Sequence, residues 1–406
     1  METVLGNGLK VITYKTDSDF VTINYTIDIG SVDEDPVKAG IAHLCEHLVF
    51  KGTANRTKEE INLSVEQCGG MINACTSREY TSFFVEMLKE HFDVGFDTLS
   101  DIVFNATIPE EEFDCEKAVV INELNMYKDG GENEVEDNFY RQLFGEEYPS
   151  WWNIGGTEET VSSITRDDVI AFIEKNYTFD NMFLTVVGNV EHEDVIKAVE
   201  QYTENFDYSG KVKKNREVDV SVLKNNMETI TTERENFLSH IYFGLPVEAE
   251  CSYKNMVMLK MLSYIMSGGL SGKLIELREK YGLCYAIDTY ANNYVNGVIM
   301  FTGYTGVDKS NIDKTIENIE RILGNIKITE KDFERAKNNI SVAMKHKYTD
   351  TSDIAMFIIS QTLNSFPYNK EKVEDIIEDI TVDELRGFVD EYVSGKKLMF
   401  SVIQQA

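Results

Sequence analysis

One short pattern occurs twice in this chain, and its placement constrains the fold more than any other feature. Ile164-Thr165-x-Asp167-Asp168-Val169-x-x-Phe172, followed by Tyr177 and an apolar run over 183–187, returns as Ile380-Thr381-x-Asp383-Glu384-Leu385-x-x-Phe388, then Tyr392 and an apolar run over 398–402. The apolar run behind each copy reads as a buried strand. A helix leading into a strand thus closes each half of a 406-residue chain, which points to a duplicated domain of about 200 residues. The expected fold class is α+β: two tandem homologous domains, each a mainly antiparallel sheet packed with helices, related by internal duplication. The seam is expected in the polar, Lys-rich stretch 208–226, giving domains at 1–210 and 227–406 with a linker at 211–226.

Local signals fill in the first half. Gly6-Asn7-Gly8 marks a turn, and strands are expected over 9–14 and 20–29, the second alternating well enough to be half-buried. A helical stretch is expected from Pro36 through Gly40 to Phe50. Thr57 and Glu60 have the spacing of a capping box opening a helix toward Cys68, which Gly69-Gly70 ends. Strands should follow at 71–76 and 81–87, then helices at about 90–103, 110–127 and 132–144. Pro109 and the acids at 110–112 suit the amino end of the middle one.

Charge narrows the partners. Lys+Arg 39 against Asp+Glu 70 leaves a net charge of −31, so no nucleic-acid partner and no anionic membrane surface is expected, whereas basic peptides would be attracted. No apolar run reaches the ~18 residues of a membrane-spanning helix. The amino terminus enters a turn and a strand without the basic start and apolar run of a targeting segment. Six cysteines without a Cys-x-x-Cys pair read as free thiols in a reducing compartment, so a cytoplasmic location is expected.

The chemistry concentrates at His43-Leu44-Cys45-Glu46-His47. On a helix turning about 100° per residue, His43, Glu46 and His47 share one narrow face, while Leu44, Cys45 and Leu48 anchor the other. Two imidazoles so placed suit a Zn²⁺ ion, with the neighbouring carboxylate able to reach the attacking water. Cys45 points away and is read as structural. Chance would give His-x-x-Glu-His roughly once in a hundred such chains, and its order inverts that of His-Glu-x-x-His zinc peptidases.

The segment from His43 to Thr53 resembles the zinc motif of the pitrilysin, insulin-degrading enzyme and mitochondrial processing peptidase family. That resemblance implies a third zinc ligand at Glu123 and a catalytic set of Glu46, Glu116 and Tyr285. Within that set Glu116, seven residues before Glu123 and on the same helix face, would orient a histidine. Gly69-Gly70-x-x-Asn73-Ala74-x-Thr76 is similar to the strand on which the family lays its substrate, which makes Asn73 and Ala74 substrate-binding through main-chain pairing. Gly156-Thr157-Glu158-Glu159-Thr160, then Tyr177 and Asp180-Asn181, resembles the closing stretch of the family's first domain and is read as structural. In the second half, Arg278 and Tyr285 look like the family's Arg and Tyr that reach bound substrate. Cys45 and Asn122 stand where the family often has Leu and Glu; neither replaces a ligand or the base.

What the resemblance implies is a zinc-dependent endopeptidase acting on peptides or on unfolded and precursor segments in an enclosed chamber. One zinc is expected per chain, because the second half holds no His-x-x-Glu-His. Carrying both a zinc set and an Arg–Tyr set, a chain of this length is expected to form a homodimer with two sites. The rival is a non-catalytic peptide-binding or structural relative; the intact His43, Glu46, His47 and Glu123 argue against it.

Overall fold

The computed structural model describes the chain except residues 146–152, 205, 207–209, 211, 213, 215, 217–222, 224–225, 236–237 and 294–296. The expected linker over 211–226 therefore lies largely outside the described residues. Eleven described strands form two sheets. Six make the first: β1 (Glu2–Val4), β2 (Lys10–Lys15), β3 (Phe20–Ile27), β4 (Met71–Thr76), β5 (Thr81–Leu88) and β6 (Met182–Gly188), in the order β1-β2-β6-β3-β5-β4. The second holds β7 (Ile230–Arg234), β8 (Ser239–Val247), β9 (Cys284–Asn293), β10 (Ile299–Val307) and β11 (Met399–Gln405), in the order β7-β11-β8-β10-β9.

Apart from β1, the two orders match strand for strand. The strand behind the repeated sequence pattern, β6 or β11, runs parallel to one neighbour and antiparallel to the other in both sheets. Side-chain contacts repeat as well. Thr165 and Thr381 each open a helix through a capping box. Lys38 pairs with Asp168 at 2.8 Å and Lys254 with Glu384 at 2.5 Å. Arg166 donates to the Ile108 carbonyl as Arg386 does to that of Ile328. Lys117 and Lys337 both bridge the carbonyls just before those capped helices. Two tandem homologous α+β domains are thus present.

The chain separates into two compact units, each built from three segments. The first takes Met1–Asn125, Asn153–Arg216 and Lys347–Leu363; the second takes Met126–Trp152, Glu217–His346 and Asn364–Ala406. A boundary at 210 therefore leaves one helix of each unit on the other side in sequence. Helix Thr351–Leu363 lies on β3 and β6 of the first sheet, and helix Gly131–Phe144 lies on β8 and β11 of the second.

That arrangement corrects the reading of β3 as half-buried. Val21, Ile23, Tyr25 and Ile27 face the apolar core with Leu44, Leu48, Leu99, Ile102, Phe83 and Leu184. Thr22, Asn24 and Thr26, on the other face, are buried too. Their polar atoms are satisfied locally: Thr22 donates to Thr351 at 2.9 Å, Asn24 to Ser82 at 2.7 Å and Thr26 to Asn24 at 2.8 Å. A second correction concerns the stretch from Pro36. Two single 3₁₀ turns, Ser31–Asp33 and Pro36–Lys38, come first, and the α-helix runs only over Ile41–Val49. Gly40, at φ +93°, makes the break, since that conformation suits glycine and stops a helix from running through it. All six cysteines are free thiols, and no helix of the described residues is long and apolar enough to cross a membrane.

Candidate metal centre

Helix Ile41–Val49 is fixed at its start by a buried acid. Glu34 accepts from the amides of Gly40 and Ala42, both at 2.8 Å, and so satisfies two of the helix's unpaired amino-end donors. Burial pushes the Glu34 pKa up to about 8, against the pull of those two amide bonds. Glycines let a second segment run close by. A Cβ on Gly156, at φ +74°, would stand 2.1 Å from the Ala39 carbonyl oxygen, and one on Gly155 would meet Leu124 at 2.6 Å and the His43 Nδ1 at 3.7 Å. Leu44, Cys45 and Leu48 are fully buried, so the opposite face carries His43, Glu46 and His47 at a set depth.

Glu123 comes from helix Glu110–Asp129. Its Oε2 lies 3.4 Å from Nε2 of His47 and 3.9 Å from Nε2 of His43. One ligand atom from each of the three residues lies within 4.8 Å of the others. A tetrahedral ion with bonds of 2.0–2.2 Å wants donors roughly 3.4 Å apart, so a small contraction suffices. The donor chemistry fits as well. Burial, then the neighbouring His47, pushes the His43 pKa down to about 4 against the attraction of Glu123, which leaves a neutral imidazole with a lone pair.

Two further carboxylates complete the site. Glu116, with only 8% of its side chain exposed, sets Oε2 3.2 Å from the His47 Nδ1 and Oε1 2.7 Å from the Lys51 Nζ. An acceptor at Nδ1 favours the tautomer that leaves Nε2 free for a metal. Glu46 accepts a hydrogen bond of 2.6 Å from the Thr76 hydroxyl. Burial raises its pKa above the ordinary 4.5, while the Thr76 bonds and His47 pull it back.

Thr76 ends β4, the outer strand of the first sheet, which among the described residues pairs only with β5. Asn73 is exposed and Ala74 half-buried on that strand. The Ala74 amide is met by its neighbour's Asn73 Oδ1 at 2.8 Å. Arg278 and Tyr285 belong to the second unit. There the guanidinium stands 5.0 Å from the Tyr285 ring centroid, and Tyr285 is 83% exposed on the edge strand β9. Among its described residues the second unit holds no matching metal set. Helix Tyr253–Ser267, tied by the Lys254–Glu384 pair as Ile41–Val49 is preceded by Lys38–Asp168, presents Leu259, Leu262 and Ser263 at the matching positions. Ala336 and Ala343 stand where Glu116 and Glu123 would.

The roles of Glu34, Lys51 and Thr76 escaped sequence reasoning. Lys51 and Thr76 lie inside the quoted motifs, so proximity in sequence was the available signal; Glu34 offered only an acid ahead of a helix.

Comparison with known proteins places the chain among peptidases. The family described as Insulinase (Peptidase family M16) matches residues 10–149, and the Peptidase M16 inactive domain matches residues 163–340. An uncharacterized zinc protease of Bacillus subtilis is 30% identical over 339 residues, covering 82% of this chain and 81% of its own length. One from Mycobacterium leprae is 26% identical over 404 residues, covering 97% of this chain and 89% of its own. Among solved structures, a protease from Helicobacter pylori aligns over 100% of this chain and 99% of its own, with TM-score 0.89 and 20% identity; this likeness speaks to the fold.

Proposed function

Because this chain belongs to the insulinase peptidase family, M16, we propose that it is a zinc-dependent endopeptidase that cuts peptides or unfolded and precursor segments, with one zinc per chain. The observation that carries the reading is the meeting of His43, His47 and Glu123 beside a Glu46 carboxylate that Thr76 holds.

His43, His47 and Glu123 would hold the zinc, which when bound supplies Lewis acidity toward a water and a peptide carbonyl. Glu46 takes a proton from the attacking water and delivers it to the leaving amine, a role helped by burial that raises its basicity. Glu116 keeps His47 oriented. A peptide pairs with the edge of β4 at Asn73 and Ala74 through main-chain hydrogen bonds, which tolerate varied side chains. Arg278 and Tyr285 of a second copy, in a homodimer, would contact the bound peptide, Tyr285 donating to the developing oxyanion.

A mixed peptide library, digested with and without chelator and read by mass spectrometry, tests this. Internal bonds should be cut, cutting should cease on chelation, and zinc should restore it. Glu46→Gln should keep zinc and lose about 10²–10⁴-fold in rate. Cleavage by the metal-free chain, or at the normal rate by Glu46→Gln, overturns the reading.

A further inference from the structure

We propose that Thr76 is a positioning residue: its hydroxyl aims the Glu46 carboxylate, so that the strand which takes the peptide also sets the base. The proposal rests on the peptidase reading above and adds a residue to it.

Thr76 Oγ1 donates to Glu46 Oε2 at 2.6 Å. Among the described residues no other group donates to Glu46. A Glu side chain has three torsions, and without a partner its carboxylate would sample several staggered positions. Thr76 itself is held from both sides. It pairs with Thr81 across β5, and the turn beyond it is closed by the Ser77 amide on the Tyr80 carbonyl at 2.7 Å. The Ser77 and Arg78 carbonyls accept from Ser31 and Val32, and Arg216 donates to the Glu79 carbonyl at 2.8 Å.

Ala74 lies two residues before Thr76, so the two share one side of the strand. Asn73 Oδ1 now occupies the Ala74 amide. A peptide that replaces it docks on the same short strand that grips the base, and pairing then fixes the distance from scissile bond to carboxylate. A hydroxyl that acts this way contributes to turnover rather than to binding.

The test compares Thr76→Val, which keeps the shape and removes the hydroxyl, with Thr76→Ser, which keeps the hydroxyl. In the zinc-loaded enzyme Thr76→Val should lower kcat about ten- to hundredfold with KM within about twofold. Thr76→Ser should restore most of the rate. On a Glu46→Gln background, Thr76→Val should leave the affinity for a fluorescent peptide unchanged by anisotropy. A crystal structure of Thr76→Val should show the Glu46 carboxylate displaced. The proposal is overturned if Thr76→Val keeps its kcat, if Thr76→Ser falls as far, or if Glu46 stays in place in the crystal. Should the zinc-loaded parent enzyme cut no peptide, the peptidase reading fails by itself, and the position of Glu46 in the two crystal structures alone decides on Thr76.

Discussion

Glu116 holds His47 by a contact of 3.2 Å between its Oε2 and the ring Nδ1, while its other oxygen rests on Lys51. A buried carboxylate so placed turns the ring and raises its basicity as a ligand. We predict that Glu116→Gln, which keeps the shape and drops the charge, weakens zinc binding about 10–100-fold. Competition against a chromophoric chelator measures it. An affinity equal to that of the parent protein would remove Glu116 from the site.

The repeated pair of a lysine with a capping acid leads to an acid-sensitivity prediction. Hydrogen bonds from Lys38 and Thr165 hold the Asp168 pKa down to about 2, and the same arrangement with Lys254 and Thr381 holds Glu384 at about 2. A depressed carboxyl pKa stabilises the folded state above the unfolded value near 3.8, and the benefit is lost as pH falls toward 2. Asp168 is about one-third exposed, so solvent screening brings the contribution down to about 1 kcal/mol. Urea unfolding should show Asp168→Asn less stable by that amount at pH 7, with the gap narrowing below about pH 4. A gap that persists unchanged at pH 2.5 would point to packing instead.

Assembly can be tested by mixing. If each zinc site draws its Arg278 and Tyr285 from a second copy, neither Glu46→Gln nor Arg278→Ala homodimers should cut peptides well. A mixture of the two should regain part of the activity, because one site in the heterodimer is intact. Full activity in a monomer at micromolar concentration would contradict a shared site.

Charge supplies the last prediction. A net charge of −31 acts over a screening length of about 8 Å at physiological salt, so acids around the bound peptide would concentrate basic substrates. Peptides rich in Lys and Arg should be cut faster than acidic ones, and the difference should shrink as salt rises. Equal rates would leave the acidity a matter of solubility.

Sequence reasoning was strong where chemistry is local. The spacing of His43, Glu46 and His47 needs only one helical turn. The strand Met71–Thr76 and the capping box at Thr57 are likewise short-range and come out at the expected places. It weakened where the deciding partner is distant. Thr22, Asn24 and Thr26 look like a solvent face because their cover, helix Thr351–Leu363, lies far along the chain. Thr76 is an ordinary polar strand residue until the structure brings it to Glu46. The break at Gly40 was hidden because Pro36 is an equally good start for a helix. Resemblance rather than spacing singled out Glu123, since nothing in its own helix distinguishes it from the neighbouring acids.

The helix that covers the first sheet has a consequence for how the protein is made. All strands of that sheet have been synthesised once Gly188 is added, yet Thr351–Leu363 is still to come. At 5–20 residues per second the wait is roughly 10–30 s. Over that interval β3 and β6 await their cover, and a product truncated before residue 351 never receives it. Synthesis of the second half is therefore also the final folding step of the first.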